Sequence, residues 1–160
     1  MSLQPLKHDL IVEVPVERAF ELFVERLGDW WPIAYTFSGA DFETAQIDPR
    51  AGGRWFERTG QGEEIPWGHV RAYERGQRVV LQWGIGIDRK PARPERSSEV
   101  EFQFAADGET RTRISVEHRD FERHGEGAEA LRQGMGSAAQ GWPLILAEFR
   151  RAARRSKHRP

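Results

Sequence analysis

Five histidines, six tryptophans and no cysteine set out the chemistry open to this chain of 160 residues. His118 shares a strand face with Ile114 and Val116, so it can project inward and anchor a ligand oxygen or act as an acid or base. The competing and commoner fate is a hydrogen-bonded core histidine, and no catalytic residue is assigned. His69, Arg71 and Gln82 fall on what reads as the solvent face. Glu57 and Glu117 could be buried carboxylates, but each would then need a partner that the spacing does not supply. Ser97, Ser98, Ser115 and Ser137 have no base assigned to them. There is no zinc-binding His-Glu-x-x-His helix, no phosphate loop ending in Lys-Ser/Thr and no Gly-x-Ser-x-Gly elbow. His118 and His124 are too loosely placed for a metal site, and no cofactor is called for.

The tryptophans point instead to an interior. Trp30, Trp31, Phe37, Trp55, Trp67, Trp83, Phe102, Met135, Trp142, Ile145 and Phe149, with His118, are expected around a cavity. Core packing is the ordinary role of any one of them. Their number argues for a pocket, because rigid indoles seldom interlock without leaving space and each N–H needs an acceptor. A dry aromatic cavity with few polar groups suits a planar or lipid-like small molecule.

Composition narrows the alternatives. The length fits one domain over residues 1–160. A net charge of −1 argues against nucleic acid as partner. The basic cluster Arg150, Arg151, Arg154, Arg155, Lys157 and Arg159 sits where a helix dipole favours cations. Without cysteine, no disulfide or thiolate chemistry is available. The start, Met1 to Lys7, lacks the apolar core of a secretory signal and no segment reads as a membrane span, so a cytoplasmic location is expected.

The elements that must position these side chains follow from periodicity. His8 to Val14 reads as a strand, with Leu10, Val12 and Val14 on one face. Pro15 ends it, and Ala19, Phe20, Phe23, Val24 and Leu27 then recur at helical spacing up to Gly28. The aromatic break Asp29-Trp30-Trp31-Pro32 caps one end of the core. Strands are predicted over Asp41–Ile47, Arg54–Thr59, Glu64–Tyr73, Arg78–Gly84, Ser98–Ala105 and Thr110–Phe121, separated by turn-forming stretches such as Arg75-Gly76 and Asp107-Gly108. Short turns make neighbours antiparallel. Val79, Leu81 and Trp83 share a face, as do Val100, Phe102 and Phe104, whereas the register of residues 54–58 and 65–73 stays open. Ile85 to Arg96 reads as a long surface loop. Gly127 to Gln133 reads as a short helix, Gly134, Gly136 and Gly141 as a hinge-like link, and Leu144 to Arg155 as a closing helix with Trp142, Ile145, Leu146, Phe149 and Ala153 on one stripe.

Several separated motifs, in order, resemble one family: Val14-Pro15-Val16-Glu17-Arg18-Ala19-Phe20, Trp30-Trp31-Pro32, Gly52-Gly53-Arg54, Gly68-His69-Val70-Arg71-Ala72-Tyr73 with Val80-Leu81-Gln82-Trp83, and Gly141-Trp142. Together they are similar to the activator of heat-shock protein 90 ATPase-like branch of the START-like (SRPBCC, Bet v 1-like) superfamily. The resemblance implies an α+β helix-grip fold of β-α-β(6)-α order: a bent antiparallel sheet wrapped around a long carboxy-terminal helix, with a cavity between them.

Three functions are carried forward. The leading one is a container for a small hydrophobic or aromatic ligand. A co-chaperone-like module is the alternative, binding a protein partner through exposed Trp30 and Trp31 and the 85–96 loop. A cyclase- or hydrolase-type enzyme ranks last. Sheet edges leave a homodimer open as well.

Overall fold

The computed structural model describes residues 3–85, 92–137 and 141–157. Its strands are β1 (Leu6–Val12), β2 (Phe42–Ile47), β3 (Arg54–Thr59), β4 (Glu64–Glu74), β5 (Arg78–Trp83), β6 (Ser98–Ala106) and β7 (Thr112–Arg119). They form one curled antiparallel sheet in the order β1-β7-β6-β5-β4-β3-β2. Its helices are α1 (Val16–Phe20), α2 (Ala128–Gly136) and α3 (Trp142–Lys157), and together these elements make the expected α+β helix-grip architecture. No helix among the described residues is long and apolar enough to cross a membrane.

Period-two alternation does the positioning. Leu81 pairs with Val100 and Trp83 with Ser98, while Val100 pairs with His118 and Phe102 with Val116. Opposite residues in a ladder share a face, so Trp83, Ser98, Phe102 and His118 all look inward with Leu10 and Val12 of β1. The outer face is charged. Arg119 reaches Glu99 at 2.7 Å, Glu101 at 2.8 Å and Glu117 at 3.2 Å, and Arg78 reaches Glu101 at 2.7 Å. Burial opposes ionisation of Glu101, but hydrogen bonds from Gln103, Arg119 and Arg78 outweigh it and hold its carboxyl at about 2.

The first strand lies two residues earlier than its periodicity suggests. Val14 has left the ladder and is buried, its carbonyl accepting from Thr112 Oγ1 at 2.8 Å. The single regular helix expected over Val16–Leu27 is instead α1 followed by a π-helical turn, Glu21–Glu25. The wider turn buries three successive residues, Leu22, Phe23 and Val24, which a 3.6-residue period cannot do from one face. Trp30 completes it, its indole N–H donating to the carbonyls of Leu22 (3.1 Å) and Phe23 (3.3 Å). These carbonyls lie where a helix end leaves acceptors without partners.

The register of β3 and β4 is resolved by a bulge. Pairing runs Trp55 with Gly68, then shifts so that Phe56 meets Pro66. Trp55, Glu57 and Thr59 are buried on the inner face, and Arg54 covers the outward Phe56 ring at 4.4 Å. Gly68 has φ 154°, and a Cβ there would lie 2.2 Å from Gln82 O and 2.9 Å from Trp55 Nε1, so only glycine lets this indole reach across. Of the expected 85–96 loop, Pro94–Arg96 form a 3₁₀ turn, and residues 86–91 lie outside the described residues.

α2 runs through Gly134 and Gly136, and α3 follows with Trp142, Ile145, Leu146, Phe149 and Ala153 buried against the sheet. The stripe is the one its spacing of three and four requires.

Candidate functional site

Every tryptophan is at most 6% exposed, and the rings make one continuous wall. Trp55 lies 4.9 Å from Trp67 and 5.7 Å from Trp83, and Trp31 is 5.4 Å from Trp67 and 6.3 Å from Trp83, between ring centres. Trp83 continues to Trp142 at 5.5 Å, and Trp142 to Phe102 at 5.6 Å. A second cluster joins Phe23, Trp30, Phe102 and Phe149 at 4.8–5.1 Å, linked to the first through Trp31, 5.6 Å from Trp30. Ile145 and Met135 are buried and Phe37 is half-buried against this core.

One expectation about this wall is corrected, that of an exposed tryptophan patch. Around the expected cavity the described rings meet one another edge-on or tilted. A groove of about 430 Å³ lies between Arg18, Leu22, Arg26, Asp29 and Trp30 on one side and Ala152, Arg155 and Ser156 of α3 on the other. Trp30 and Trp31, expected on an exposed docking patch, are 6% and 4% exposed because Trp30 closes the π turn and Trp31 fills the space above β3 and β4.

His118 is fully buried and points inward. Trp142 Nε1–H can only donate, and it donates to His118 Nδ1 at 3.0 Å. The imidazole proton therefore sits on Nε2, which faces Ser98 Oγ at 2.7 Å. Ser98 passes its own proton on: His124 Nε2 lies 2.8 Å from Ser98 Oγ and also accepts the Ser98 N–H at 3.1 Å. The return of the chain that makes this contact begins at Asp120, whose left-handed backbone (φ 63°) leads into the turn Phe121–His124 and stacks Phe121 on His118 at 4.1 Å. Burial, with the nearby His124, pushes His118 well below the ordinary histidine range, and burial lowers His124 to about 4. Both nitrogens of His118 are committed, so geometry gives it the role of a hydrogen-bonded core histidine.

Glu57 is a buried carboxylate with no ion-pair partner among the described residues. It accepts from Phe37 N at 2.6 Å, Ser38 N at 2.9 Å, Ser38 Oγ and Trp67 Nε1 at 2.7 Å. Four donors replace the water a carboxylate loses on burial. They tie the stretch from Pro32 to Asp41 over the indole wall, with Trp31 Nε1 donating to Tyr35 O at 3.1 Å. No residue from 32 to 41 is fully buried, and Ile33 is 58% exposed.

Gln82, placed on the solvent face by sequence, is buried instead. Its amide N donates to Ser97 Oγ at 3.1 Å, its amide O faces His69 Nδ1 at 3.1 Å, and its backbone carbonyl accepts from Trp55 Nε1 at 2.7 Å. Ser98 and Glu57 carry the polar side of the interior. Ser98, to which sequence reasoning assigned no base, pairs with Trp83 across β5 and β6 and meets both His118 and His124. Among the described residues no group of three or more histidines and carboxylates is placed to hold a metal ion.

This fold and interior match a known family. Residues 13–154 fit the model for Activator of Hsp90 ATPase homolog 1-like proteins, and the chain belongs to that family, within the START-like superfamily. Among solved structures it is 27% identical to an anthrahydroquino-γ-pyrone synthase, Txn09, complexed with SUM (TM-score 0.64, covering 94% of this chain and 97% of that one). It is 28% identical to CalC, a self-sacrificing resistance protein from Micromonospora echinospora (TM-score 0.64, 98% and 97%). Protein NE0264 from Nitrosomonas europaea shares the fold at 17% identity (TM-score 0.65, 95% of each chain). No curated protein matches the chain.

Proposed function

We propose that the protein is a container for one flat, largely apolar small molecule, held between the sheet and α3 and admitted when the 32–41 segment lifts. The observation that carries this reading is the continuous indole wall lying beneath a segment fastened by hydrogen bonds rather than by burial. Segments with few buried contacts open at low free-energy cost, and aromatic faces grip planar ligands through dispersion and edge contacts. The two relatives near 27% identity, one named as a synthase of a fused aromatic product and one as a resistance protein, agree with a small-molecule role. Burial of Trp30 and Trp31 and the engagement of both His118 nitrogens favour this reading over the protein-partner and enzyme alternatives.

Titration with fluorene, a flat apolar probe, tests the proposal. Saturable one-to-one quenching of tryptophan emission is expected, with a rise in melting temperature that grows with probe concentration. Linear, collisional quenching with no thermal shift, for fluorene and for its ketone alike, would remove the container reading.

A further inference from the structure

Five of the six indole N–H groups have an acceptor: Trp30 on Leu22 O, Trp31 on Tyr35 O, Trp55 on Gln82 O, Trp67 on Glu57 and Trp142 on His118. Trp83 has none, although its Nε1 is buried. Its ring sits at the centre of the wall, 5.2 Å from His118, 5.5 Å from Trp142, 5.7 Å from Trp55 and 6.3 Å from Trp31. None of these neighbours has a lone pair to spare: indoles offer only their faces, and both His118 nitrogens are engaged. A buried donor in this state is a standing cost to the fold. A trapped water would need two to four polar partners, and among the described residues no second unpaired polar atom lies in this cluster. The other buried orphan, His8 Nε2, belongs to β1.

We propose that Trp83 Nε1–H is the specificity-determining donor of the interior, and that the ligand is a neutral, flat, polycyclic compound carrying a carbonyl-type oxygen. The inference rests on the container reading and narrows it. Neutrality follows from the surroundings: among the described residues no Lys or Arg is in ring contact with the wall, and the Glu57 carboxyl that meets it accepts from the Trp67 indole, so an anionic ligand would enter uncompensated. A single donor opposite apolar rings selects for one acceptor on an otherwise apolar skeleton, because the analogue lacking it leaves the N–H unpaired.

Fluorenone and fluorene have the same shape and differ by one carbonyl, so they separate the two claims. Fluorenone is expected to bind about tenfold more tightly, to move the Trp83 indole N–H resonance downfield in ¹⁵N-labelled protein, and to lose that advantage in Trp83→Phe. The resonance in the unaltered protein gives the answer even where Trp83→Phe folds poorly. Equal binding of both probes with the Trp83 signal unmoved overturns the inference and leaves the container standing. Binding of neither overturns both.

Discussion

Among single residues, Glu57 has the sharpest role. It is a buried carboxylate whose partners are two backbone N–H groups, a hydroxyl and an indole, so its removal strands several donors at once. Glu57→Ala should cost about 3 kcal/mol or more of unfolding free energy, since each abandoned buried donor costs about 1–3 kcal/mol. Urea denaturation measures this, and faster amide exchange at Phe37 and Ser38 would show that the loss begins in the covering segment. A loss under about 1 kcal/mol with unchanged exchange would mean that the segment is held by something other than Glu57.

At the scale of elements, the junction between α2 and α3 decides how the closing helix docks. A Cβ at Gly141 would lie 2.1 Å from the Met135 carbonyl oxygen and 2.3 Å from its carbon, and both Met135 and Trp142 are buried. Backbone cannot yield as a flexible side chain can, so Gly141→Ala should destabilise by about 1–3 kcal/mol. Gly134 is the internal control: it is helical and has open space where a Cβ would go, so Gly134→Ala should stabilise by about 0.5–1 kcal/mol. Thermal unfolding of the two variants should move in opposite directions. The same scale shows where local pattern falls short. The stripe on α3 and the faces of β5, β6 and β7 were readable because one period governs each of them. The π turn was not, since it buries Leu22, Phe23 and Val24 together where Trp30 returns to donate to the Leu22 and Phe23 carbonyls.

For the whole molecule, the inner and outer faces of the sheet respond to acid in the same direction for different reasons. Burial holds His124 at about 4 against an ordinary 6.5 and also pushes His118 well below the ordinary range, so the unfolded chain takes up those protons first. Their contribution is intact above pH 6.5 and drains away as pH falls from there toward 4. On the outer face Glu101, held at about 2 against an ordinary 4.5, stabilises above pH 4.5 and loses that contribution as pH falls toward 2. Unfolding free energy should therefore be flat near neutrality and begin to fall below pH 6.5, before carboxylates protonate. Urea melts at intervals from pH 7.5 to 4 should show this, with a shallower slope in His124→Gln; an identical slope would detach His124 from the acid response.

The sequence by itself determined the strand faces, the closing helix and the gathering of six indoles inside, because alternation and helical spacing are properties of neighbouring residues and burial follows from them. Tertiary structure alone decided which indole finds an acceptor and that His118 leads through Ser98 to His124. Several of those outcomes turn on partners more than 20 residues apart, such as Trp55 with Gln82 O and Ser98 with His124. A bulge at Gly68 or a left-handed Asp120 shifts such partners by more than the tolerance of a hydrogen bond, and no local period records that shift.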